Sequence, residues 1–154
     1  MQVKEILKTK STTLYTSRPD ALLSEAVVTM ADADMGSLVV MEGGKLVGLL
    51  TFREVVQILA KRQKEQRKGP TPPVAEIRVG DVMRREPLVV TPDMELNDLR
   101  QVMIDSHQRY LPVVEDGTLL GVVSFLDVAR AVLDEQGFEN KMLKAYIRDW
   151  PAEA

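Results

Sequence analysis

The sequence predicts an α/β fold in which one β-α-β-β-α unit is used twice. The main observation is an internal repeat: residues 19–55 align without a gap on residues 92–128, 73 positions later. Thirteen of the 37 aligned positions are identical, whereas about two or three are expected for unrelated sequences of ordinary composition. A repeat of this length indicates one supersecondary unit that occurs twice and buries its apolar face against its copy.

The order of local patterns is the same in both copies. An apolar strand precedes a Pro-Asp turn, and the turn opens a helix with apolar residues at helical spacing. Two apolar strands follow, joined by a tight turn that contains glycine, which is typical of a hairpin. The predicted elements are strands 14–17 and 88–90, helices after Pro19-Asp20 and Pro92-Asp93, strands 37–41 and 110–114, strands 46–50 and 119–123, and closing helices that open at Thr51 and Ser124.

Sequence order suggests four segments. They are a first unit with a helical lead-in (1–68), a Pro-rich linker (69–78), a second unit (79–135), and a C-terminal amphipathic helix and tail (136–154). Short helices are predicted before each unit, and the prolines of the linker cannot continue a helix.

Two segments leave alternatives open. The charged stretch 60–68 is interpreted as the solvated end of a helix, and a nucleic-acid patch is the alternative, although no aromatic residue interleaves the charges. The apolar residues of 138–150 would pack on the chain's own core or form a dimer contact.

Composition narrows the class of protein. The 154 residues are 45% hydrophobic and carry a net charge of −3, so charge does not indicate a nucleic-acid or membrane partner. Cysteine is absent, which excludes disulfides, thiolate metal sites and a thiol nucleophile. No apolar run approaches the ~20 residues that span a bilayer, and residues 1–5 lack the apolar stretch of a secretory signal. We therefore expect a cytoplasmic protein.

Several motifs resemble the CBS domain family, named for cystathionine β-synthase. They are residues 48–54 (Gly-Leu-Leu-Thr-Phe-Arg-Glu), residues 121–127 (Gly-Val-Val-Ser-Phe-Leu-Asp) and Leu-Pro-Val-Val at 111–114. The resemblance covers the chain from about Val3 to Leu133. It implies a stand-alone tandem of two CBS units packed by pseudo-twofold symmetry through their sheets. It also implies clefts for adenosine compounds such as AMP, ADP, ATP, NAD or S-adenosylmethionine, and a homodimer.

Ser124 and Asp127 are the leading candidates for ligand binding. A hydroxyl at a helix start and a carboxylate three residues later make an approximate capping box, which by itself accounts for both residue types. The free N–H groups of a helix start also suit a phosphate, and a carboxylate can accept hydrogen bonds from both hydroxyls of a ribose. The resemblance implies such contacts for this motif.

The resemblance places further ligand candidates on both sides of this cleft. Arg109 and the adjacent Tyr110 precede a strand at a place where the family often has a basic residue facing phosphate, and a guanidinium suits that geometry; an exposed surface arginine is the alternative. His107 is expected to be exposed at a helix end or to make a second phosphate contact. The adenine is expected to rest on the first repeat, at Met35, Gly36, Thr12 and Thr13.

The mirror cleft is expected to be the poorer of the two. Glu54 stands in place of the usual Asp, and Gly36 occupies the position that Arg109 has in the other copy. Thr51 and Glu54 also form an ideal capping box, which accounts for them without a ligand. The candidates in this cleft are Thr51, Glu54, Arg53, Gln108 and Arg109.

The sequence favours a regulatory module that binds an adenosine nucleotide and acts on an unidentified protein target. The alternative is a homodimeric interaction scaffold whose clefts bind no nucleotide. An enzyme is not expected, because the chain has no Ser-His-acid motif, Walker-type loop or metal cluster, and so neither a catalytic cofactor nor a metal is predicted. No recognition helix or basic face indicates nucleic acid.

Overall fold

The computed structural model describes residues 1–10, 14–66 and 76–148, and within these ranges it confirms the α/β fold. The elements are, in chain order, α1 (Val3–Lys8), β1 (Thr16–Ser17), α2 (Leu23–Asp32), β2 (Ser37–Glu42), β3 (Lys45–Thr51), α3 (Phe52–Gln66), α4 (Val79–Val82), β4 (Arg84–Arg85), α5 (Leu96–Ser106), β5 (Tyr110–Glu115), β6 (Thr118–Ser124) and α6 (Phe125–Arg148).

Each repeat is built around an antiparallel hairpin, β2–β3 in the first and β5–β6 in the second. Their turns need residues with positive φ, as in hairpins whose twist matches that of the strands. Gly44 and Gly117 have φ of 77° and 78°, and the residues before them, Gly43 and Asp116, have φ of 58° and 50°. The glycine turns predicted from the sequence are therefore present in both repeats.

The two sheets differ at their first strand. In the first repeat β1 pairs in parallel with β2, and β4 adds to the other edge beside β3. In the second repeat the predicted strand 88–90 is reduced to a single parallel bridge between Val90 and Val113. Pro112 explains the difference, because it has no N–H to donate to Leu88 and so cannot extend the ladder. The equivalent residue in the first repeat is Val39, which can donate.

The short helices before the repeats are exchanged between the two cores. Val3 and Ile6 of α1 are buried in the second repeat, among residues such as Leu99 and Val123. Val79 of α4 is buried in the first repeat, against residues such as Leu23. Linear order had assigned α1 to the first unit and α4 to the second, so packing divides the chain differently from the boundaries drawn on the sequence.

The backbone hydrogen bonds of this exchange are the same in both halves. The N–H of Val3 donates to Met94 O at 2.9 Å, and the N–H of Val79 donates to Ala21 O at 2.9 Å. Ala21 and Met94 are equivalent positions of the repeat. The start of each lead-in helix thus donates a hydrogen bond to the carbonyl of the residue just before the first long helix of the other copy. The two halves are therefore related by a pseudo-twofold axis.

The sheets of the two repeats face each other. Leu38 and Leu50 point into the first repeat's own core, while the neighbouring Val39 and Leu49 are buried on the opposite face. Alternate residues of a strand lie on opposite faces of the sheet, and β3 contacts β6. This face therefore packs on the second repeat.

Helix α6 is a single helix of 24 residues, about 36 Å long. The segment predicted as a separate C-terminal helix is its continuation as far as Arg148, and Trp150 lies outside the described residues. Met142, Leu143 and Ile147 are more than half exposed, so they do not pack on the described core. None of the helices in the described ranges has the length and apolar character that crossing a membrane requires.

The charged end of α3 is described as far as Gln66. Its side chains from residue 60 onward are exposed, except that of Arg62, which is buried. This agrees with a mostly solvated helix end; Arg67 and Lys68 lie outside the described residues.

Candidate functional site

Ser124 and Asp127 form the capping box that the sequence predicts at the start of α6. The N–H of Ser124 donates to Asp127 Oδ2 at 2.8 Å, and the N–H of Asp127 donates to Ser124 Oγ at 3.1 Å. The Asp127 side chain is 11% exposed. Its carboxylate is therefore held in a fixed direction at the mouth of the closing helix.

A residue that the sequence interpretation did not include also reaches this carboxylate. Lys10 Nζ lies 2.7 Å from Asp127 Oδ2 and donates to Val122 O, also at 2.7 Å. Lys10 follows α1, and the packing of α1 on the second repeat brings the lysine to α6. The ammonium therefore occupies one oxygen of the carboxylate that was expected to accept the ribose hydroxyls.

A cavity of about 300 Å³ brings together several predicted residues from both repeats. The second repeat contributes Ser124 and Arg109, and the Arg109 side chain forms no ion pair with a carboxylate in the described part of the chain. Lys10 and Asp34 also line it. The full lining is Lys10, Asp34, Met35, Gly36, Ser37, Arg109, Tyr110, Val122, Ser124, Phe125 and Leu126. Two cations and a helix start therefore face one space, which suits a phosphate.

A second cavity, of about 470 Å³, shares Lys10, Met35, Ser37 and Val122 with the first. Its remaining walls are mainly apolar or aromatic, and they include Leu14, Tyr15, Ala33, Val39 and Leu120. Such a slot suits a flat purine ring. Thr12 and Thr13, which were expected to contact the adenine, lie outside the described residues. Tyr15 and Leu14 of the same segment line the cavity.

Asp127 does not line either of these cavities. It borders a third, of about 410 Å³, between α1 and α6, where Glu5, Arg130 and Asp134 also lie. Lys10 lines all three cavities. The Met1 amino group reaches the same region, and the hydrogen bond that it donates to the Glu135 carboxylate, 3.2 Å away, raises the pKa of that amino group.

The structure gives a steric reason for glycine at position 36. A Cβ built on Gly36 would lie 1.7 Å from the hydroxyl oxygen of Tyr110. The Tyr110 ring thus crosses from the second repeat onto the backbone of the first. Gly36 is equivalent to Arg109 in the repeat, and Ser37 is equivalent to Tyr110. The second repeat thus has the large Tyr110 ring where the first has a serine. The first repeat has no side chain at position 36, where that ring lies.

The mirror cleft is about 350 Å³ and is lined by Thr51, Phe52, Arg53, Val56, Gln57, Gln108, Arg109 and Tyr110. Of the five candidates predicted there, only Glu54 does not line it. Glu54 is 7% exposed, and its Oε1 accepts both the N–H of Thr51 at 3.0 Å and the Thr51 hydroxyl at 2.9 Å. The Glu54 carboxylate therefore folds back onto its own helix start, as that of Asp127 does, and it does not line the cleft.

Arg53 and His107 meet across the two repeats. A guanidinium nitrogen of Arg53 donates to His107 O at 2.9 Å. His107 ends α5 in the left-handed conformation with φ of 56°, as Asp34 does at the equivalent position with φ of 53°. The His107 side chain is exposed and lines none of the cavities described above, which corresponds to the helix-end interpretation. No metal-binding group of His, Asp and Glu side chains occurs among the described residues.

The main omission from the sequence interpretation is Lys10. Nothing in its local sequence distinguishes it from Lys4 or Lys8, because the signal is its distance from Asp127 in space and the two residues are 117 positions apart. Tyr15 could have been identified as a candidate for the cavity lining, since it is an aromatic residue within the predicted first strand.

Comparison with known proteins is consistent with this geometry. Residues 3–61 and 79–134 match the family described as CBS domain. The CBS domain-containing protein YhcV of Bacillus subtilis is 31% identical over 127 residues, which are 82% of this chain and 84% of YhcV. The mitochondrial CBS domain-containing protein CBSX3 of Arabidopsis thaliana is 31% identical over 134 residues, and the match covers 84% of this chain but 61% of CBSX3.

Solved structures of similar fold include the CBS domain NE2398, with a TM-score of 0.75, 29% identity, and coverage of 86% of this chain and 98% of that one. CBSX2, solved in complex with AMP, has a TM-score of 0.70 and 24% identity over 86% of this chain and 97% of CBSX2. The family and the paired arrangement expected from the sequence are confirmed by these matches.

Proposed function

Because the chain belongs to the CBS domain family, we propose that it is a regulatory module whose clefts bind an adenosine nucleotide. The ligand class is AMP, ADP or ATP, NAD, or S-adenosylmethionine, and binding reports the energy or cofactor state to a protein target. The cleft at Ser124 and Asp127 is the principal site, and the mirror cleft at Thr51 and Glu54 is weaker or empty.

One observation carries this proposal: a charged cavity and an apolar cavity adjoin at Lys10 and Met35. The charged cavity offers Arg109, Lys10 and the start of α6 to a phosphate. The apolar cavity offers Tyr15 and Leu14 to a base. A nucleotide has this same division into an anionic end and a flat, weakly polar end. CBSX2, which shares the fold, has been crystallised with AMP, so a paired unit of this kind has room for such a ligand.

The inequality of the two clefts follows from their carboxylates. Asp127 has a short side chain beside Lys10, and its side-chain hydrogen bonds with described residues are to Ser124 and Lys10. Glu54 is buried and turned toward Thr51. Arg109 lines both clefts, so a ligand in the principal cleft would also compete for the cation that the mirror cleft needs.

A ligand in the principal cleft would contact both repeats, because Met35 and Tyr15 belong to the first and Arg109 and Ser124 to the second. A ligand changes a conformational equilibrium only through its different affinity for the two states. We infer that nucleotide binding favours the arrangement in which the repeats are closest, and that the protein target reads this arrangement.

We also propose that the chain forms a homodimer through α3 and α6. These helices carry apolar side chains that are more than half exposed, some of them at the edges of the clefts, namely Phe52, Val56, Leu59, Phe125, Leu126 and Leu133. Large apolar side chains exposed on neighbouring turns of a helix are typical of a protein interface. The same surface would serve a pure interaction scaffold, which is the function that remains if no nucleotide binds.

The test is a thermal-shift panel with AMP, ADP, ATP, NAD and S-adenosylmethionine on protein purified free of ligand. A ligand at 100 times its Kd adds about 2.7 kcal/mol, which is a rise of roughly 5–10 °C for a chain of this size. Calorimetric titration of Asp127→Asn and its matched variant Glu54→Gln then ranks the clefts. We expect Asp127→Asn to weaken binding about tenfold or more and Glu54→Gln to leave the tighter site unchanged. No shift with any compound would favour the scaffold instead.

A further inference from the structure

Lys10 is the only described residue that lines all three cavities around the start of α6. Its side chain is one-third exposed. The ammonium is held by two acceptors, Asp127 Oδ2 and Val122 O, each at 2.7 Å. It therefore stands between Asp127 and the cavity that Ser124 and Arg109 share.

The hydrogen bonds that Asp127 Oδ2 already accepts limit how a ribose can bind to this carboxylate. Asp127 Oδ2 accepts from the Ser124 N–H and from Lys10 at the same time. A ribose diol needs two acceptor positions on a carboxylate, and a third donor on Oδ2 would crowd the two already there. A nucleoside can reach Asp127 in full only when Lys10 moves away.

We propose that Lys10 makes the principal cleft select phosphorylated nucleosides over bare nucleosides; this inference rests on the proposed function. In the structure the ammonium of Lys10 is paired with the Asp127 carboxylate. When a nucleotide enters, the Lys10 ammonium leaves the Asp127 carboxylate and pairs with the phosphate in the adjoining cavity. The ammonium therefore keeps an anionic partner. A bare nucleoside displaces Lys10 from Asp127 and offers it no anion in return.

The other charges of that cavity support this assignment. Arg109 is the second cation, and Asp34 is the carboxylate that faces the same space. Among the residues that line the cavity, two cations are set against one carboxylate, and a second carboxylate, Asp127, lies outside the lining, 2.7 Å from Lys10. Without Lys10, one cation is set against one anion, and the attraction for a phosphate largely cancels. Lys10 thus supplies one of the two positive charges that line this cavity.

The experiment is calorimetric titration of the whole chain with AMP and with adenosine, in the wild type, in Lys10→Met and in Lys8→Met. Methionine keeps the length and apolar stem of lysine. Lys8 is an exposed lysine two residues away that lines none of these cavities, so its variant removes the same charge from the same region. A charge-assisted hydrogen bond corresponds to about 10- to 100-fold in affinity. We expect the preference for AMP over adenosine to fall by at least about tenfold in Lys10→Met and to stay unchanged in Lys8→Met.

The outcomes are distinguishable. If the wild type binds AMP and Lys10→Met keeps the same AMP-to-adenosine ratio, the Lys10 inference is wrong and the proposed function stands. Equal weakening of both ligands would indicate a purely structural role for Lys10 and would also overturn the inference. If the wild type binds neither compound nor any other member of the panel, both proposals fail. Lys10→Gln, which keeps a donor for Asp127 but no charge, replaces Lys10→Met if the latter unfolds below the assay temperature, and the same change in ratio is expected.

Discussion

Replacing Ile6 with alanine tests the exchange of the lead-in helices. Ile6 precedes the first repeat in the sequence, but it is 3% exposed and packs in the core of the second. Truncating a fully buried isoleucine costs about 2–5 kcal/mol, because the lost contacts are only partly recovered by relaxation. Taking about 3 kcal/mol, the Tm of a chain of this size falls by roughly 6–12 °C.

Native-state hydrogen exchange shows which part of the chain Ile6→Ala destabilises. The thermal unfolding curve, recorded at the same protein concentration, gives the size of the destabilisation. We expect the amides of α5, β5 and β6 to lose protection before those of α2, β2 and β3. The amides of α1 should lose protection together with those of the second repeat, because the α1 backbone is hydrogen-bonded there, as in the Val3 N–H to Met94 O contact.

Val28→Ala is the matched control. Val28 is β-branched and lies in α2 of the first repeat, but it is 56% exposed, so its truncation should change stability by no more than about 0.5 kcal/mol. A loss of protection centred on the first repeat in Ile6→Ala, or a destabilisation as small as the control's, would show that α1 does not belong to the second core.

Three further predictions concern the interface between repeats, the mirror cleft and the dimer. Gly36→Ala places a methyl group against the Tyr110 hydroxyl, so it should lower the free energy of unfolding by about 1–3 kcal/mol. Most of this loss should disappear in the double variant with Tyr110→Ser. Losses that simply add in a double-mutant cycle, measured by denaturant unfolding, would contradict the contact. Glu54→Ala removes an acceptor for two Thr51 donors, so it should destabilise the chain by about 1–3 kcal/mol without changing affinity at the principal cleft, as titration calorimetry would show. Val56→Asp, at an exposed position of α3, should convert a dimer to a monomer in sedimentation while leaving the far-UV circular dichroism unchanged; a wild-type chain that sediments as a monomer would refute the proposed interface.

The exchanged helices also connect the cleft to the cores. Lys10 follows α1, whose residues Val3 and Ile6 are buried in the second repeat. A ligand that releases Lys10 from Asp127 therefore acts next to the element that crosses between the repeats. Protection of α1 in hydrogen exchange, compared with and without AMP, would report this connection directly.

The sequence by itself determined the duplicated unit, the order of its elements, both hairpin turns and the capping boxes at Ser124 and Thr51. These features depend on residues a few positions apart, so periodicity, glycine placement and side-chain type are enough to predict them. The sequence also showed that Glu54 is one methylene longer than Asp127, the equivalent residue of the second repeat.

Only the tertiary structure decided which core each lead-in helix joins, which cation reaches Asp127, and why position 36 is glycine. The apolar face of α1 would suit either repeat, and Lys10 is one of several lysines near it. The choice depends on the path of the chain, which brings Lys10 to a carboxylate 117 positions away and sets the Tyr110 ring on the Gly36 backbone. Local patterns specify which faces are apolar, but the partner of each face is selected by packing the whole chain at once.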